Sequence, residues 1–437
     1  MTRSRLDSFF GVTQAGSTLR LEALAGATTF LAMAYIVFVN PAVLSQTGMD
    51  FGAVFTATCL ASAIATLIMA LVANYPIALA PGMGQNFFFV AAVAGMGLTW
   101  QQALAAVFLA GVAFIALTLS RARTLIIASI PESLKAAIAA GIGLLIAFIG
   151  LAGAGIVQPN PGGLLRLGAL RTAPVALCVV GLVLTVALAA RGIGGALLAG
   201  IGAATALALG LGLAEFHGMI SAPPSLAPTF MQLDLPGALT VGALPAVLVF
   251  FYMALFDAIG TLVAVGQQAG LMKEGRLVRG ERALAADACG TVVGSCLGTS
   301  TVTAYVESAA GVQAGARTGL AGLVTAGLFL MTLIFSPLVK MVGDGPAARA
   351  ITAPALILVG SLMARSLTRV AWDDLTEALP AFLVLIGIPL SFSIGDGIAL
   401  GVIAYPVVKV LAGRWREAPW LMYVLAAAFL ARYLLIA

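Results

Sequence analysis

The stretch GTSTVTAYVESAAGV, residues 298–312, places an acid, Glu307, directly after a run of small and β-branched residues in a very apolar chain. Gly298 is expected to end a helix, and the β-branched residues of Thr299–Thr303 favour an extended strand. The segment is therefore too interrupted for an ordinary membrane helix. What it can do depends on the surroundings that the rest of the sequence predicts.

The composition indicates a membrane protein. Of 437 residues, 61% are hydrophobic and only 9% are charged. Such a chain has too few polar residues to form the water-facing surface of a soluble protein. Apolar stretches of about 17–25 residues, each long enough to cross a hydrocarbon core of about 30 Å, recur from Leu24 onward. No apolar region before a small-residue cleavage site is present near the N-terminus, so Leu24 is expected to begin a retained span. The predicted class is an all-α polytopic membrane protein in contact with lipid.

Fourteen spans are predicted, with a doubtful further segment at 419–436. The spans are 22–43, 52–73, 76–96, 101–119, 133–151, 173–190, 193–212, 243–268, 281–297, 300–314, 317–340, 349–366, 378–393 and 396–412. With a cytoplasmic N-terminus, 17 of the 22 basic residues fall inside, four fall outside and Arg432 lies in the doubtful segment. This asymmetry predicts a multi-pass protein of the plasma (inner) membrane with its N-terminus in the cytoplasm.

The chain also indicates an inverted duplication, because two halves of seven spans each have opposite topology. FLAMAY at Phe30–Tyr35 resembles FFYMAL at Phe250–Leu255, at an offset (250 minus 30) close to half of the chain. The interrupted segments around Gln85 and Ala304 are separated by nearly the same offset (304 minus 85). Interrupted apolar segments in matching positions of two halves predict the binding site of a secondary transporter, because unwound backbone is tolerated at membrane depth only along a cavity.

The two interrupted segments predict a pair of short strands. Pro81 and the glycines after it should break the third span and leave Gln85–Phe89 extended, opposite Thr299–Thr303. A half-helix should follow each strand with its positive end toward the centre, and Glu307 falls in the first turn of the second. Strand alternation would place Phe87 opposite Asn86, whose amide can donate and accept, so that one aromatic ring could stack on a flat ligand.

Three acids lie at predicted membrane depth, namely Asp257, Asp287 and Glu307. A charge there costs at least about 2.5–3.5 kcal/mol, so each is a candidate functional residue. The alternative is a structural carboxylate that caps a broken helix, and Asp287, nearer the cytoplasmic end, fits either role equally well.

The remaining polar residues exclude several functions. No Walker motif, dinucleotide fingerprint or metal-ligand spacing occurs, so we expect no cofactor, no metal, no ATP-driven step and no enzyme activity. The net charge of +5 is spread over loops and predicts no nucleic-acid partner. His217, in a long external loop, is interpreted as incidental. The cysteines all lie in apolar segments and are expected to be buried without a chemical role, and they are Cys59, Cys178, Cys289 and Cys296.

Several motifs resemble the nucleobase cation symporter-2 superfamily, in its AzgA-like branch of adenine, guanine and hypoxanthine permeases. The motifs are TTFLAMAYIVFVNPAVL, APGMGQNFFF, LFDAIGTL, GTSTVTAYVESAAGV, DDLTEALPAFL and IGDGIALG. The resemblance implies fourteen spans as a 7 + 7 inverted repeat, strands in spans 3 and 10, and proton-coupled uptake of a purine by a homodimer. The implied domains are a cytoplasmic segment (1–21), a core domain (22–119 and 243–340) and a gate domain (133–212 and 349–437).

The resemblance also implies site residues. The span-8 acid of the family falls on Asp257, the span-10 glutamate on Glu307, the span-3 asparagine on Asn86 and the span-9 polar position on Asp287. Thr261 stands where uracil-type relatives have a histidine. The implied substrate-binding set is Asn86, Phe87, Asp257, Thr261, Tyr305 and Glu307, and the implied proton-coupling set is Asp257, Asp287 and Glu307. Ala254, Ala258, Gln85 and Phe87 depart from the family pattern, which leaves the preferred purine and the proton stoichiometry open.

The predicted mechanism uses both main acids. Glu307 would accept paired N–H donors from one purine edge, while Asp257 would bind the opposite edge or carry the proton. Three alternatives stay open at this point. An anion transporter of the sulfate-permease type would use a basic residue near span 10, an intramembrane aspartyl protease would need two facing aspartates, and a passive channel would show flux without pH dependence.

Overall fold

A computed structural model describes residues 5–120, 131–160, 163–193, 195–216, 218–240, 242–273, 276–344, 347–391 and 394–435. His217 lies outside them. The helices are α1 (Arg5–Phe10), α2 (Leu19–Met33), α3 (Ile36–Leu44), α4 (Phe51–Ile68), α5 (Met83–Met96), α6 (Trp100–Leu119), α7 (Glu132–Gly153), α8 (Ala173–Ala190), α9 (Ala196–Gly210), α10 (Leu235–Ala238), α11 (Leu244–Gln268), α12 (Gly280–Leu297), α13 (Ser308–Gln313), α14 (Gly319–Thr332), α15 (Ser336–Gly343), α16 (Ala348–Met363), α17 (Leu375–Ser391), α18 (Ile394–Leu411) and α19 (Trp420–Leu435). The strands are β1 (Leu79–Pro81), β2 (Val157–Asn160), β3 (Gly163–Leu167), β4 (Met272–Lys273), β5 (Arg276–Leu277) and β6 (Val302–Ala304).

Long apolar helices dominate the described residues, as expected for a polytopic membrane protein. Within them, eight helical segments are long and apolar enough to cross a membrane. These are Leu19–Thr47, Phe51–Ala73, Trp100–Leu119, Glu132–Gly153, Ala173–Ala190, Leu244–Gln268, Gly319–Gly343 and Ala348–Arg369. Shorter apolar helices include Met83–Met96, Ala196–Gly210 and Leu375–Ser391. The predominantly helical membrane fold is thus confirmed, and the count of fourteen spans stays a prediction.

Strands β1 and β6 form an antiparallel pair in which Ala80 lies opposite Thr303. Two further backbone bonds extend the pair symmetrically. The Gly82 N–H donates to the Thr301 carbonyl at 2.9 Å, and the Tyr305 N–H donates to the Ala78 carbonyl at 3.0 Å. Both bonds keep the register of the strand pair, because 82 plus 301 equals 78 plus 305.

The predicted strand Gln85–Phe89 is wrong, because these residues lie in α5 and the strand precedes them at Leu79–Pro81. Proline disfavours a helical conformation in the residue before it, so the extended backbone ends at Pro81 and the helix begins just after it. Gly82 is the N-cap. A Cβ at Gly82 would lie 2.1 Å from Gln85 Oε1, so a larger residue at this turn would displace the Gln85 amide. The prediction that Asn86 and Phe87 point to opposite faces of a strand is therefore also wrong, because both residues are helical.

The break after α12 lies where the sequence predicts it. Helix α12 ends at Leu297, and Gly298 has a φ of 97°, a left-handed conformation that glycine adopts without strain. The extended segment that follows is Val302–Ala304, shorter than the predicted Thr299–Thr303 and displaced toward Glu307. A further interruption, not predicted from the sequence, separates α2 from α3 at Ala34 and Tyr35.

The chain packs as two compact units, Met1–Leu119 with Gly153–Ala355, and Ser120–Ala152 with Leu356–Ala437. In the first unit, α4 and α12 flank the β1–β6 pair. Helices α8 and α9, which the resemblance assigns to the gate domain, belong to this unit by packing. The core and gate domains themselves stay a prediction.

In the second unit, the C-terminal segment that was doubtful in the sequence is helix α19, which packs on α18. An ionic cluster holds the turn between the two helices. The Lys409 ammonium lies 2.9 Å from Glu377 and 3.0 Å from Glu417, and the Arg414 guanidinium lies 2.8 Å from Asp374. Lys409 is almost fully buried, so its two carboxylate partners are required to compensate for its lost hydration.

Helices α7 and α16 approach closely in the second unit through Gly143 and Gly360. A Cβ at Gly360 would lie 2.3 Å from the Gly143 carbonyl oxygen and 2.9 Å from the Ala147 backbone nitrogen. Backbone atoms cannot give way as flexible side chains can. Small residues at such a crossing allow the close helix packing that is common in membrane proteins.

Gly360→Ala is expected to destabilise the protein by about 1–3 kcal/mol, because the added methyl group collides with backbone atoms of α7. The measurement is thermal unfolding of the purified protein in detergent. Gly327→Ala is the matched control, since nothing lies within 4 Å of a Cβ at that helical glycine. Equal unfolding temperatures for the two variants would contradict the close approach.

Candidate functional site

The outer edge of strand β1 is bonded to side chains of neighbouring elements. The Thr66 hydroxyl of α4 donates to the Leu79 carbonyl at 3.1 Å and accepts the Leu79 N–H at 2.9 Å. On the side that faces β6, the Ser308 hydroxyl accepts the N–H of Ala78, the residue before the strand, at 3.0 Å. These bonds satisfy backbone groups that water cannot reach at membrane depth.

Helix α12 supports the outer edge of β6 in the same way. Asp287 Oδ1 accepts the Ala304 N–H at 2.7 Å and the Thr303 hydroxyl at 3.3 Å, and the Thr291 hydroxyl donates to the Val302 carbonyl at 2.8 Å. Asp287 is fully buried. The bonds to the strand give Asp287 a structural role, the alternative that the sequence left open. Its predicted part in proton coupling stays a prediction.

Asp257 occupies the middle of α11, where it is residue 14 of 25. Its carboxylate Oδ2 accepts the Gln85 Nε2–H of α5 at 2.8 Å. The residue is nevertheless exposed to solvent. A carboxylate that faced hydrocarbon midway along a spanning helix would be costly, so we expect this accessible surface to line a water-filled space.

Glu307 is the N-cap residue of the six-residue helix α13, but its side chain does not bond the backbone N–H groups of the cap. Instead, Oε1 accepts the Tyr35 hydroxyl at 2.8 Å, from the interruption between α2 and α3. Glu307 is half-buried, and it interacts electrostatically with Asp257. The structure therefore brings the two principal acids predicted from the sequence together in the first unit.

Asn86 and Phe87 lie on α5 and are buried. The Asn86 Oδ1 accepts a hydrogen bond from the Ser300 hydroxyl, so the amide connects α5 to the segment before β6. Phe88, next in the chain, packs edge-on against Phe250 with ring centroids 4.7 Å apart. Contact of Asn86 or Phe87 with a ligand stays a prediction.

Two further residues of the predicted set flank the acids. Thr261 is half-buried and lies one turn after Asp257 on α11. Tyr305 is buried, and its hydroxyl donates to the Pro81 carbonyl, so it connects the end of β1 to the segment after β6. This bond orients Tyr305 across the strand pair.

The sequence analysis missed Tyr35 and Gln85 as partners of the acids. Tyr35 is the last residue of FLAMAY, the motif that indicated the duplication, and Gln85 was predicted to begin a strand and noted as a departure from the family pattern, but not as a partner of an acid. Their polarity within apolar, interrupted segments was the available sign. Their partners lie 272 and 172 residues away in the chain, which no local pattern can indicate.

Comparison with known proteins gives a consistent result. A family profile named Xan_ur_permease and described as "Permease family" matches residues 20–400. The guanine/hypoxanthine permease PbuG of Bacillus subtilis is 45% identical over 98% of this chain and 99% of its own length. The adenine permease AdeP of Escherichia coli is 44% identical over 99% of this chain and 96% of its own. Among solved structures, the transmembrane domain of a cyanobacterial bicarbonate transporter, BicA, is similar in fold, with a TM-score of 0.63 at 17% identity, and the match covers 88% of this chain and 97% of that one.

Proposed function

The chain belongs to this permease family, and on that premise we propose that it imports purine nucleobases across the plasma membrane by proton-coupled alternating access. Two relatives that match nearly the whole chain are permeases for adenine and for guanine and hypoxanthine, which supports a purine as substrate. The observation that carries the proposal is the pair of interacting acids, Asp257 and Glu307, with Asp257 open to solvent midway along α11.

We expect the two carboxylates to recognise the purine. Asp257 uses Oδ2 for Gln85, and Glu307 uses Oε1 for Tyr35, so the second oxygen of each carboxylate can accept an N–H of a ligand. Purines present N–H donors in a plane, and charge-assisted bonds to a carboxylate are about twice as strong as neutral ones. Glu307 would bind one edge of the base, and Asp257 would bind the opposite edge or carry the proton.

Proton coupling follows from the charge of the site. Among the described residues, Glu307, Asp287 and Tyr305 interact electrostatically with Asp257, and none of the three is a cation. A proton would therefore relieve the repulsion between the acids, and Asp257 is accessible to take it from water. Movement of the predicted core domain against the gate domain would expose the loaded site to alternate sides. The 7 + 7 inverted repeat, the cytoplasmic N-terminus and the homodimer belong to this proposal.

Anion transport is the second candidate, favoured by the fold similarity to BicA. At 17% identity that similarity concerns the fold alone. An anion site at the same position would bring a negative charge beside two acids, and the groups described around Asp257 include no compensating cation. The electrostatics of the site therefore favour a neutral base that carries N–H donors.

The test is binding and transport by the purified protein reconstituted in liposomes. Thermal-shift measurements with adenine, guanine, hypoxanthine, xanthine and uracil at two pH values would identify the substrate, and uptake driven by an inward proton gradient would establish coupling. We expect stabilisation by at least one purine and faster uptake at acidic external pH. Bicarbonate or sulfate flux without purine binding would overturn the proposal in favour of anion transport, and purine flux without pH dependence would favour a channel.

A further inference from the structure

The two acids of the site are held by hydrogen bonds at equivalent places in the two halves. Tyr35 donates to Glu307, and Gln85 donates to Asp257. The separation in sequence between Tyr35 and Asp257 is the same as that between Gln85 and Glu307, because 257 minus 35 equals 307 minus 85. One bond is therefore the counterpart of the other under the duplication.

In both pairs of equivalent positions, the residue in the first half is neutral and the residue in the second half is an acid. At one pair of positions Tyr35 is neutral and Asp257 acidic, whereas at the other pair Gln85 is neutral and Glu307 acidic. Each acid thus meets a neutral partner from the opposite half. The partners differ in kind, because a phenol donates and accepts through one oxygen, while an amide donates through nitrogen and accepts through a separate oxygen.

The amide of Gln85 is only half satisfied. Nε2 donates to Asp257 at 2.8 Å, but Oε1 has no hydrogen-bond partner among the described residues, although Gln85 is fully buried. A buried acceptor without a partner is unfavourable. A half-turn of the terminal amide would exchange nitrogen and oxygen and point Oε1 at Asp257. Gly82 leaves room beside the amide, since a Cβ there would lie 2.1 Å from Oε1 and 2.8 Å from Cδ.

We propose that Gln85 is the positioning residue that allows Asp257 to bind and release the transported proton, by donating to the carboxylate and accepting from the carboxylic acid. This inference rests on the proposed proton-coupled function of the same site. In the anionic state, the Gln85 N–H bonds Asp257. After a proton adds to an Asp257 oxygen, the turned amide accepts the new O–H, and the proton leaves by reversal of the same step. Glu307, Asp287 and Tyr305 also interact electrostatically with Asp257, and each of the two acids would repel its anionic form.

Gln85→Glu is the principal test, measured as the pH dependence of purine uptake in liposomes. Two carboxylates within hydrogen-bond distance share one proton and hold it tightly, so we expect the pH of half-maximal uptake to rise by at least about one unit. Gln85→Met removes both the donor and the acceptor at similar length. The variant loses the bond to anionic Asp257 and the bond to protonated Asp257, and the first of these is the stronger. The anion is therefore destabilised more, and we expect a smaller rise in the pH of half-maximal uptake than in Gln85→Glu.

Gln267→Glu, which adds the same charge at an exposed position near the end of α11, should keep the wild-type profile. If Gln85→Glu does not yield folded protein, the pH profile of purine uptake by Gln85→Met tests the role of Gln85 instead. A wild-type pH profile in whichever Gln85 variant folds would overturn the role of Gln85. Failure of the proposed function is distinguishable, because wild-type protein would then bind no purine or show no pH dependence.

Discussion

Glu307→Gln is expected to reduce purine uptake by at least about 100-fold. A hydrogen bond to a charged group contributes about 1.5–3 kcal/mol. In the variant, one purine N–H would face the glutamine NH₂ and lose its bond, and the other would keep only a neutral acceptor. The measurement is initial uptake of radiolabelled base by cells that lack their own purine permeases, corrected for the amount of protein in the membrane.

The matched control is Glu281→Gln, an exposed acid in the first turn of α12, which should keep wild-type uptake. Tyr35→Phe should cause a milder, several-fold loss, since it removes only the hydroxyl that orients Glu307. Uptake by Glu307→Gln that equals uptake by the control would remove Glu307 from the binding site.

Asp257→Asn is expected to abolish accumulation of purine against its gradient while purine exchange continues. Asparagine still offers an oxygen to the Gln85 N–H, so the geometry of the site is kept, but the amide cannot carry a proton at any physiological pH. In reconstituted liposomes, uptake driven by an inward proton gradient should fall to simple equilibration, at the same rate in acidic and alkaline buffer.

Counterflow exchange of labelled base in the same liposomes separates loss of coupling from loss of binding. Asp257→Asn should exchange, whereas Glu307→Gln should not. Asp373→Asn, at an exposed position before α17, is the control and should accumulate purine normally. Continued accumulation by Asp257→Asn would show that another group carries the proton, and Asp287 would be the next residue to test.

The candidate site was predictable in part from the sequence, because strong local penalties act at membrane depth. A charge or a broken helix in hydrocarbon is costly, so Asp257, Glu307, Pro81 and Gly298 stand out without any structure. The same argument indicated two interrupted segments at equivalent places in the halves. The family resemblance then predicted a purine as the substrate, and the comparisons confirm that the chain belongs to the permease family.

The position of the first strand was not predictable in this way. The aromatic residues Phe87–Phe89 have a high strand propensity, yet they are helical, and Leu79–Pro81 is the strand. A strand of three residues has almost no stability of its own. It forms where partners exist, and here they are the facing strand, Thr66 and Ser308, of which Ser308 is 230 residues from the Ala78 that it bonds.

The sequence by itself determined that this chain is a helical membrane protein with two broken segments and acids within them, because hydrocarbon penalises charge and unpaired backbone wherever they occur. Only the tertiary structure decided which neutral side chain meets each acid. Tyr35 and Gln85 are polar residues in apolar segments, but their partners lie 272 and 172 residues away in the chain, so only the folded chain shows which carboxylate each of them meets.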